Sequence, residues 1–285
     1  MAGWRLVRIW TGTRDDGDLV NREDARVSVL DHGFTVADGV FETLKVTRGG
    51  AFALTRHLQR LAGSARALGL PEPDDDVVRY AVAEVISANA AEVGDFGRLR
   101  ITYTAGVAPL GSDRGDADPT LVVVAAPSAP WPDATSVVTV PWPRNERSPL
   151  AGVKSTSYAE NVVALNHAHA AGASEALLAN TRGELCEGTG TNVFVVVDGQ
   201  VLTPSLESGC LAGITRELVL EWFGGREEEL PLDILQTADE VFLTSSTRDV
   251  HPVIRADERT WSMAGPISRD LHHAFAERSA KHIDP

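Results

Sequence analysis

The chain has 285 residues, of which 43% are hydrophobic and 23% charged, an ordinary balance for a globular protein of one or two domains. Its formal net charge of −14 disfavours nucleic acid or an anionic membrane as a partner, since both carry negative charge themselves. The two cysteines, Cys186 and Cys210, do not form a disulfide framework or a metal-ligand cluster.

The eight histidines show no spacing typical of a metal site, so we expect no metal. The apolar runs are no longer than strands, and residues 1–5 contain no hydrophobic core of a signal peptide. These features predict a cytoplasmic protein that does not span a membrane.

The N-terminal half mixes strands with helices. Residues 40–46 alternate in the manner of a half-buried strand, followed by a turn at Gly49 and Gly50. Helical spacing of apolar residues then begins at Thr55, the expected N-cap, and ends at Gly69. The pattern predicts a second helix over about 76–93, strands over 98–104 and 120–126, and a Gly/Pro/Asp-rich loop over 106–118.

A proline-rich segment at residues 127–132 is the best candidate for a linker. Beyond it the pattern predicts strands over 136–140, 175–179, 192–197 and 241–244, and helices over 158–171, 213–222 and 266–281. Because both halves mix the two element types, we expect an α/β (α+β) fold of two domains. The predicted limits are 1–127 for a small N-terminal domain, 128–135 for the linker and 136–285 for a larger C-terminal domain.

Two ionisable residues stand in contexts that suit chemistry. Lys154 lies among small and hydroxyl residues between a strand and a helix, where burial could lower its pKa toward that of a nucleophile. Glu187 precedes small residues and an apolar strand, and a buried carboxylate of this kind needs a cationic partner. Taken alone, Lys154 is better interpreted as a surface lysine. The signal at Glu187 is weak by itself, because a plain hairpin turn uses the same glycines.

Three further segments suit phosphate. Residues 211–216 open a helix whose free N–H groups and dipole attract anions, and Thr215 adds a hydroxyl. Arg60 offers a planar donor fork, and residues 245–247 add hydroxyl groups at a strand end. Helix capping, a solvated arginine and a plain turn are the alternative interpretations.

The order and spacing of five blocks favour the functional interpretation. The blocks are Asp38-Gly-Val-Phe-Glu42, His57-Leu-Gln-Arg-Leu61, Lys154, Glu187-Gly-Thr-Gly-Thr-Asn-Val-Phe194 and Leu211-Ala-Gly-Ile-Thr-Arg216. In this order they resemble the class IV aminotransferases, the fold-type IV group of pyridoxal 5'-phosphate (PLP) enzymes. The resemblance extends from about residue 25 to residue 270. It implies that PLP is the cofactor, that it binds between the two domains, and that the protein is a homodimer.

The resemblance also assigns roles at the matching positions. Lys154 would form the Schiff base with the cofactor and move the proton. Glu187 would keep the pyridine nitrogen protonated, Leu211 would pack on the ring, and Tyr158 could donate to the phenolic oxygen. The phosphate would be held by Arg60, Ile214, Thr215 and Ser246. Phe41, Arg114 and Thr247 are the expected substrate contacts.

The resemblance favours one subgroup. The Phe41-Glu42 pair is similar to that of transaminases, and the spacing from Lys154 to the next helix matches the D-amino acid enzymes. We therefore predict transfer of an amino group from D-amino acids, with (R)-primary amines as further donors, to a 2-oxo acid such as 2-oxoglutarate or pyruvate. A branched-chain L-amino acid aminotransferase is the less favoured alternative.

The loop over residues 104–114 departs from the D-amino acid pattern. The Arg-x-His pair that binds the substrate carboxylate there is replaced by Leu110 and Ser112. Arg114 is our first candidate for a replacement, with Arg98 and Arg100 as alternatives. The same loop also resembles 4-amino-4-deoxychorismate lyases, which release pyruvate to leave 4-aminobenzoate, and this lyase is the main rival function.

Overall fold

The computed structural model describes residues 7–47 and 50–285, so the predicted turn at Gly49 lies outside the described residues. The chain divides into two compact units. The first comprises the described residues up to Pro130 with Val153–Ser157 and Ile283–Pro285, and the second comprises Trp131–Gly152 and Tyr158–His282. The predicted domain limits stay a prediction, with the division after Pro130 falling inside the predicted linker.

In the described part of the first unit, six strands form one antiparallel sheet in the order β2-β1-β6-β5-β3-β4. The strands are β1 (Arg8–Thr13), β2 (Gly17–Asn21), β3 (Gly39–Thr47), β4 (Gly50–Ala51), β5 (Gly97–Thr104) and β6 (Thr120–Pro127). Strand β3 pairs with β5 from Gly39 opposite Thr104 to Val46 opposite Gly97. Strands β3, β5 and β6 were expected from the sequence pattern.

Helices α1 (His32–Thr35), α2 (Leu54–Ala67), α3 (Asp75–Ala88) and α4 (Ala90–Val93) complete the first unit. The buried residues Leu58 and Leu61 of α2 and Val78, Val82 and Val85 of α3 pack in one core with the apolar side chains of the sheet. The alternation of β3 matters for the site, because Glu42 shares the inward face with Val40 and Leu44 while Phe41 lies on the other face.

The beginning of α2 differs from the prediction. The helix begins at Leu54, and its N-cap is Ala53, which has a positive φ of 56° and no side chain that can cap. The cap comes instead from Asp284, whose carboxylate accepts hydrogen bonds from Thr55 N at 2.8 Å and Thr55 Oγ1 at 2.6 Å. Local capping rules consider only residues next to the helix, so they could not predict a cap from a residue this distant in sequence.

The predicted second helix is divided into α3 and α4 at Asn89. Asn89 is buried, and its side chain donates to the carbonyls of Val85 and Arg8 and accepts from Arg8 N, in addition to the backbone bond from Asn89 N to Val85 O. Asparagine commonly competes with helical hydrogen bonds in this way. The periodicity of apolar residues continues across the break and therefore did not reveal it.

Nine strands form the mixed sheet in the second unit, all of whose residues are described. They are β7 (Thr135–Thr139), β8 (Glu175–Ala179), β9 (Leu185–Gly188), β10 (Asn192–Val197), β11 (Gln200–Pro204), β12 (Arg226–Glu228), β13 (Glu240–Ser245), β14 (Asp249–Ala256) and β15 (Arg259–Thr260). Their order is β12-β11-β10-β13-β14-β7-β8-β9, with β15 beside β14. The pairs β11–β12, β14–β7 and β7–β8 are parallel.

Helices α5 (Ala159–Ala170), α6 (Ile214–Phe223) and α7 (Pro266–Lys281) lie close to their predicted positions. The sheet core contains Val193 and Val195 of β10 with Val241 and Leu243 of β13. The rings of Phe194 and Phe242 stack at 4.8 Å between centroids. Mixed α/β architecture is thus confirmed, and none of the helices in the described ranges has the length and apolar character needed to cross a membrane.

Candidate active site

Lys154 belongs to the first unit although the chain on either side of it belongs to the second. Residues 154–156 run beside the beginning of β3: Phe41 N donates to Lys154 O at 3.0 Å, and Thr156 N donates to Gly39 O at 2.8 Å. The hydroxyl of Thr156 also donates to Ala37 O at 2.8 Å. These bonds fix the backbone of Lys154 next to the strand that carries Phe41.

The ring of Phe41 lies next to two cationic groups. Lys154 Nζ is 4.5 Å from the ring centroid, and the guanidinium carbon of Arg100 is 3.8 Å from it. Arg100 projects from β5, and its Nε donates to Thr102 Oγ1 at 3.2 Å. A half-buried amine and an exposed guanidinium therefore flank one buried aromatic ring, a geometry that brings a nucleophile near a group able to bind a carboxylate.

Arg60, the predicted phosphate ligand, is held by a buried carboxylate. Its Nε and Nη2 donate to the two oxygens of Glu42 at 2.8 and 2.7 Å, and His57 Nδ1 lies 2.6 Å from Glu42 Oε2. Burial alone raises the pKa of Glu42, but the charge and hydrogen bonds of Arg60, with those of His57, hold that pKa well below its usual range. Burial lowers the pKa of His57 and outweighs the opposing effect of Glu42. Glu42 therefore orients Arg60 as a fixed cation.

Arg114 is also bound within the first unit. Its Nε and Nη2 donate to the carboxylate of Asp38 at 2.6 Å each, and the same guanidinium donates to the carbonyls of Leu68 and Gly69. The hydrogen bond to Asp38 is the main reason that the pKa of Arg114 is raised. These bonds tie the loop that follows β5 to the end of α2. The role of Arg114 as a substrate contact stays a prediction.

In the second unit, Glu187 lies between a backbone donor and a cation. Leu211 N donates to Glu187 Oε2 at 3.0 Å, and Arg144 Nε lies 3.2 Å from Glu187 Oε1. The side chain of Glu187 is 13% exposed and that of Arg144 is 17% exposed. The carboxylate is thus mostly buried, with a hydrogen-bond donor at one oxygen and a cation beside the other.

Arg144 links Glu187 to the residues around Tyr158. Its Nη1 donates to Asn161 Oδ1 at 3.0 Å, and Asn161 Nδ2 donates to Thr189 O at 2.6 Å. The hydroxyl of Tyr158 donates to the same carbonyl at 3.0 Å. Burial, followed by the charge of Glu187, raises the pKa of Tyr158, so the phenol keeps its proton for donation. Tyr158, the predicted donor to the cofactor's phenolic oxygen, is therefore part of the network that surrounds Glu187.

The N-terminus of α6 has no side-chain cap. Its N-cap is Gly213, which has no capping side chain, and the first helical residues, Ile214 and Thr215, are buried. Asn192 fixes the approach to the helix, because its Nδ2 donates to Leu211 O at 2.8 Å. A methyl group on Gly213 would overlap Asn192 Oδ1. Backbone N–H groups at such a terminus are suited to bind a phosphate.

Ser246 and Thr247 lie in the turn between β13 and β14, and both are half-buried. The turn follows Ser245, and the preceding residue of β13, Thr244, is paired with Asn192 of β10. Because Asn192 also donates to Leu211 O, the pairing of β10 with β13 positions this turn relative to Leu211. In the second unit the structure brings together Glu187, Leu211 and Tyr158 by direct bonds or through Arg144 and Asn161.

Sequence reasoning missed Arg144, Asn161 and Asn192. Arg144 follows two prolines and a tryptophan after β7, where no periodicity marks it, and Asn161 is one of several polar residues on α5. Asn192 was included in the Glu187 block but without a role. A buried side chain that bonds backbone carbonyls has no sequence signal that separates it from an exposed one. The described residues contain no group that could hold a metal ion.

Comparison with known proteins gave consistent results. A model of the amino-transferase class IV family matches residues 39–256. A putative branched-chain-amino-acid aminotransferase of Methanocaldococcus jannaschii is 34% identical over 93% of this chain and 96% of the relative. A D-alanine aminotransferase of Staphylococcus haemolyticus is 28% identical over 91% of this chain and 95% of the relative. A hypothetical aminotransferase from Mycobacterium tuberculosis, in its alpha-ketoglutarate and PMP bound form, superimposes with a TM-score of 0.82 at 29% identity, covering 94% of this chain and all (100%) of that one.

Proposed function

Since the chain belongs to the class IV aminotransferases, we propose that it transfers the amino group of D-amino acids, with (R)-primary amines as further donors, to 2-oxoglutarate or pyruvate. Enzymes of this class depend on PLP, and the mixed α/β fold matches that of fold-type IV transaminases. The observation that carries the proposal is the pair of cations, Lys154 and Arg100, beside the ring of Phe41.

The residues present fit PLP. The uncapped helix α6 and its buried Thr215 suit the phosphate, and Arg60 is fixed as a further cation by Glu42. Glu187 is mostly buried, and its carboxylate can form an ion pair with a protonated ring nitrogen. When bound, PLP supplies an electron sink for the bond to be broken at the amino-bearing carbon. Lys154 holds the cofactor and moves a proton to and from the substrate.

Arg100 is our preferred receiver of the substrate carboxylate. It lies beside Phe41 together with Lys154, whereas each nitrogen of the Arg114 guanidinium already donates to Asp38 or to a backbone carbonyl. An exposed arginine has a planar fork that can bind a carboxylate by two hydrogen bonds. We therefore assign Arg100 to the carboxylate and leave Arg114 as the residue that holds the loop.

The D-handed donor is supported by the subgroup resemblance around Lys154 and by the D-alanine aminotransferases among the relatives. Branched-chain relatives have a similar sequence identity, so the first experiment must establish which enantiomer of the amino donor the protein uses. The purified PLP form would be mixed in turn with D-alanine, D-glutamate, L-valine and (R)-1-phenylethylamine. Loss of the visible cofactor absorption, with gain of the near-ultraviolet absorption of pyridoxamine phosphate, reports each transfer.

We expect conversion by the D-amino acids and by the (R)-amine, and none in Lys154→Ala. Conversion by L-valine alone would replace the proposal with a branched-chain aminotransferase. Absence of conversion with all four donors, together with release of 4-aminobenzoate from 4-amino-4-deoxychorismate, would establish the lyase instead.

We also propose that the protein is a cytoplasmic homodimer, as the family resemblance implies. A set of exposed apolar side chains in the first unit supports an interface with a second copy. The strand-like contacts of residues 30–32 with 106–108 join these side chains into one patch. The patch consists of Val27, Val29, Leu30, Phe34, Val36, Val107 and Leu110, and we call it the 27–36/107–110 patch.

A further inference from the structure

Arg144 has a position that neither the sequence pattern nor the family motifs assign a role. It lies outside the strands and helices, between β7 and α5, yet its guanidinium is mostly buried. Nε lies 3.2 Å from Glu187 Oε1, while Nη1 donates to Asn161 Oδ1 at 3.0 Å. One planar group therefore connects the carboxylate to helix α5, which carries Asn161.

The remaining acidic neighbour of this guanidinium contributes little. Glu160 Oε2 is 3.9 Å from Arg144 Nη1, but the side chain of Glu160 is 85% exposed, so water screens the pair. The partners that matter are Glu187 and Asn161, both in positions with limited access to water. Ion pairs and hydrogen bonds have a larger effect in such surroundings than on the surface.

A guanidinium is charged at every pH the protein experiences, so Glu187 has a permanent cationic neighbour. The carboxylate can still accept from a third group, because its two oxygens offer about four lone-pair positions. The hydrogen bond from Leu211 N holds Oε2, and the charge of Arg144 attracts Oε1 from 3.2 Å, so the two contacts restrict the orientation of the carboxylate. The direction in which Glu187 can accept a further proton donor is thereby set before any cofactor binds.

We propose that Arg144 is a positioning residue, which orients the Glu187 carboxylate for the protonated ring nitrogen of PLP through its bridge to Asn161. The proposal rests on the proposed role of Glu187 and is independent of the handedness of the amino donor. It explains why an arginine is largely buried beside a carboxylate that must bind a second cation. The bridge also couples Glu187 to Tyr158, since Asn161 and Tyr158 share the carbonyl of Thr189.

The test compares PLP binding to apoenzyme and the state of the ring nitrogen. Wild type, Arg144→Gln, Glu187→Gln and the double variant would be titrated with PLP carrying an isotopically labelled ring nitrogen, whose chemical shift reports protonation. We expect Arg144→Gln to weaken PLP binding about tenfold and to shift the nitrogen toward its unprotonated form. The double variant should behave as Glu187→Gln alone, because Arg144 acts through Glu187.

The matched control is Arg147→Gln, which removes an arginine three residues further on whose side chain is 83% exposed. It should leave affinity and chemical shift unchanged. Unchanged values in Arg144→Gln, an equal loss in Arg147→Gln, or additive losses in the double variant would each overturn the proposal. An unchanged ring nitrogen in Glu187→Gln would refute the role of Glu187 and the proposal with it, while the donor assay remains a separate result.

Thermal unfolding of each apoenzyme shows whether a variant folds. If Arg144→Gln does not, Arg144→Lys serves in its place, because it keeps a cation but loses the fork that reaches both Glu187 and Asn161. We expect Arg144→Lys to weaken PLP binding by a smaller factor and to shift the nitrogen in the same direction. Wild-type values in that variant would overturn the positioning role.

Discussion

At the scale of single residues, charged side chains near the candidate site are held in place by contacts with other charged side chains. Glu42 orients Arg60, Asp38 occupies Arg114, and Arg144 contacts Glu187. The sequence indicated Arg60 and Glu187 by their place in motifs. Their partners come from other elements, so the charge environment of each residue was not predictable from its neighbours in sequence.

The assignment of Arg100 predicts a selective kinetic effect. Arg100→Leu should raise KM for D-amino acids and 2-oxoglutarate, because both carry the carboxylate that Arg100 would bind. Loss of a charge-assisted hydrogen bond of about 1.5–3 kcal/mol corresponds to a factor of roughly 10–100 in kcat/KM. (R)-1-phenylethylamine has no carboxylate and should react as in wild type in the half-reaction. Arg114→Leu is the comparison, and a larger effect on amino acids there would restore the original assignment.

His251 predicts a dependence of stability on pH. Burial, with the charge of Arg248, lowers its pKa from the usual 6.5 to about 4. Between these values the unfolded chain binds a proton that the folded chain does not, so stability rises with pH and is lost as pH falls from 6.5 toward 4. The full effect is about 3 kcal/mol.

The measurement is the thermal unfolding midpoint at about pH 7 and about pH 5 for wild type and His251→Gln. We expect a larger decrease for wild type, since glutamine cannot titrate. Equal decreases in the two proteins would exclude His251 as a source of the pH dependence.

At the scale of elements, α2 depends on a residue from the other end of the sequence. Asp284 caps the helix that carries His57 and Arg60, and the neighbouring Pro285 O accepts from Arg56 Nε at 3.0 Å. The helix was predicted from its apolar spacing, but its cap was assigned wrongly to Thr55. The physical reason is that Ala53 adopts a positive φ and offers no side-chain acceptor.

Asp284→Ala should therefore destabilise the protein by about 1 kcal/mol, the usual cost of losing an N-cap. A decrease of a few degrees in the thermal midpoint is the expected result. Asp270→Ala, which removes an exposed acid from α7, is the control and should have no comparable effect. Equal midpoints for the Asp284 variant and wild type would show that the cap contributes nothing.

The N-terminus of α6 predicts sensitivity to a single methyl group. Gly213→Ala would overlap Asn192 Oδ1, and the resulting shift should cost about 1–3 kcal/mol and weaken PLP binding to the apoenzyme. Gly190→Ala is the matched control, because an added methyl group there meets open space. Similar PLP affinities for the two variants would contradict the proposed phosphate site.

At the scale of the whole molecule, the two units are not continuous in sequence. Val153–Ser157 pairs with the beginning of β3 and so places Lys154 in the first unit, and Ile283–Pro285 returns to cap α2. A linker can be recognised from its prolines, but a short segment that adds to a distant strand has no compositional mark. The predicted fold class was therefore correct, but the prediction did not assign these two short segments to the first unit.

The proposed homodimer predicts a change of mass on altering the 27–36/107–110 patch. Phe34 is 75% exposed and Leu110 is 79% exposed, so Phe34→Glu with Leu110→Glu should disrupt an interface without disturbing the core. Light scattering should then give the mass of one chain in place of two. Met263→Glu, at an exposed apolar residue outside the patch, should leave the mass unchanged. A monomeric wild type would refute the dimer directly.

The sequence by itself determined the family, most helices and the strands with clear patterns, because apolar periodicity and motif spacing are local properties. It did not predict β1, β2, β9 or β14. Strand β1 pairs with the distant β6 and β14 with the distant β7, while β2 and β9 pair with their sequence neighbours β1 and β8. Only the tertiary structure decided that Asp284 caps α2, that Arg114 is bound to Asp38, and that Arg144 bridges Glu187 and Asn161. Each of these contacts joins residues that packing brings together. The contacts cannot form, and cannot stabilise the protein, before the sheets have formed.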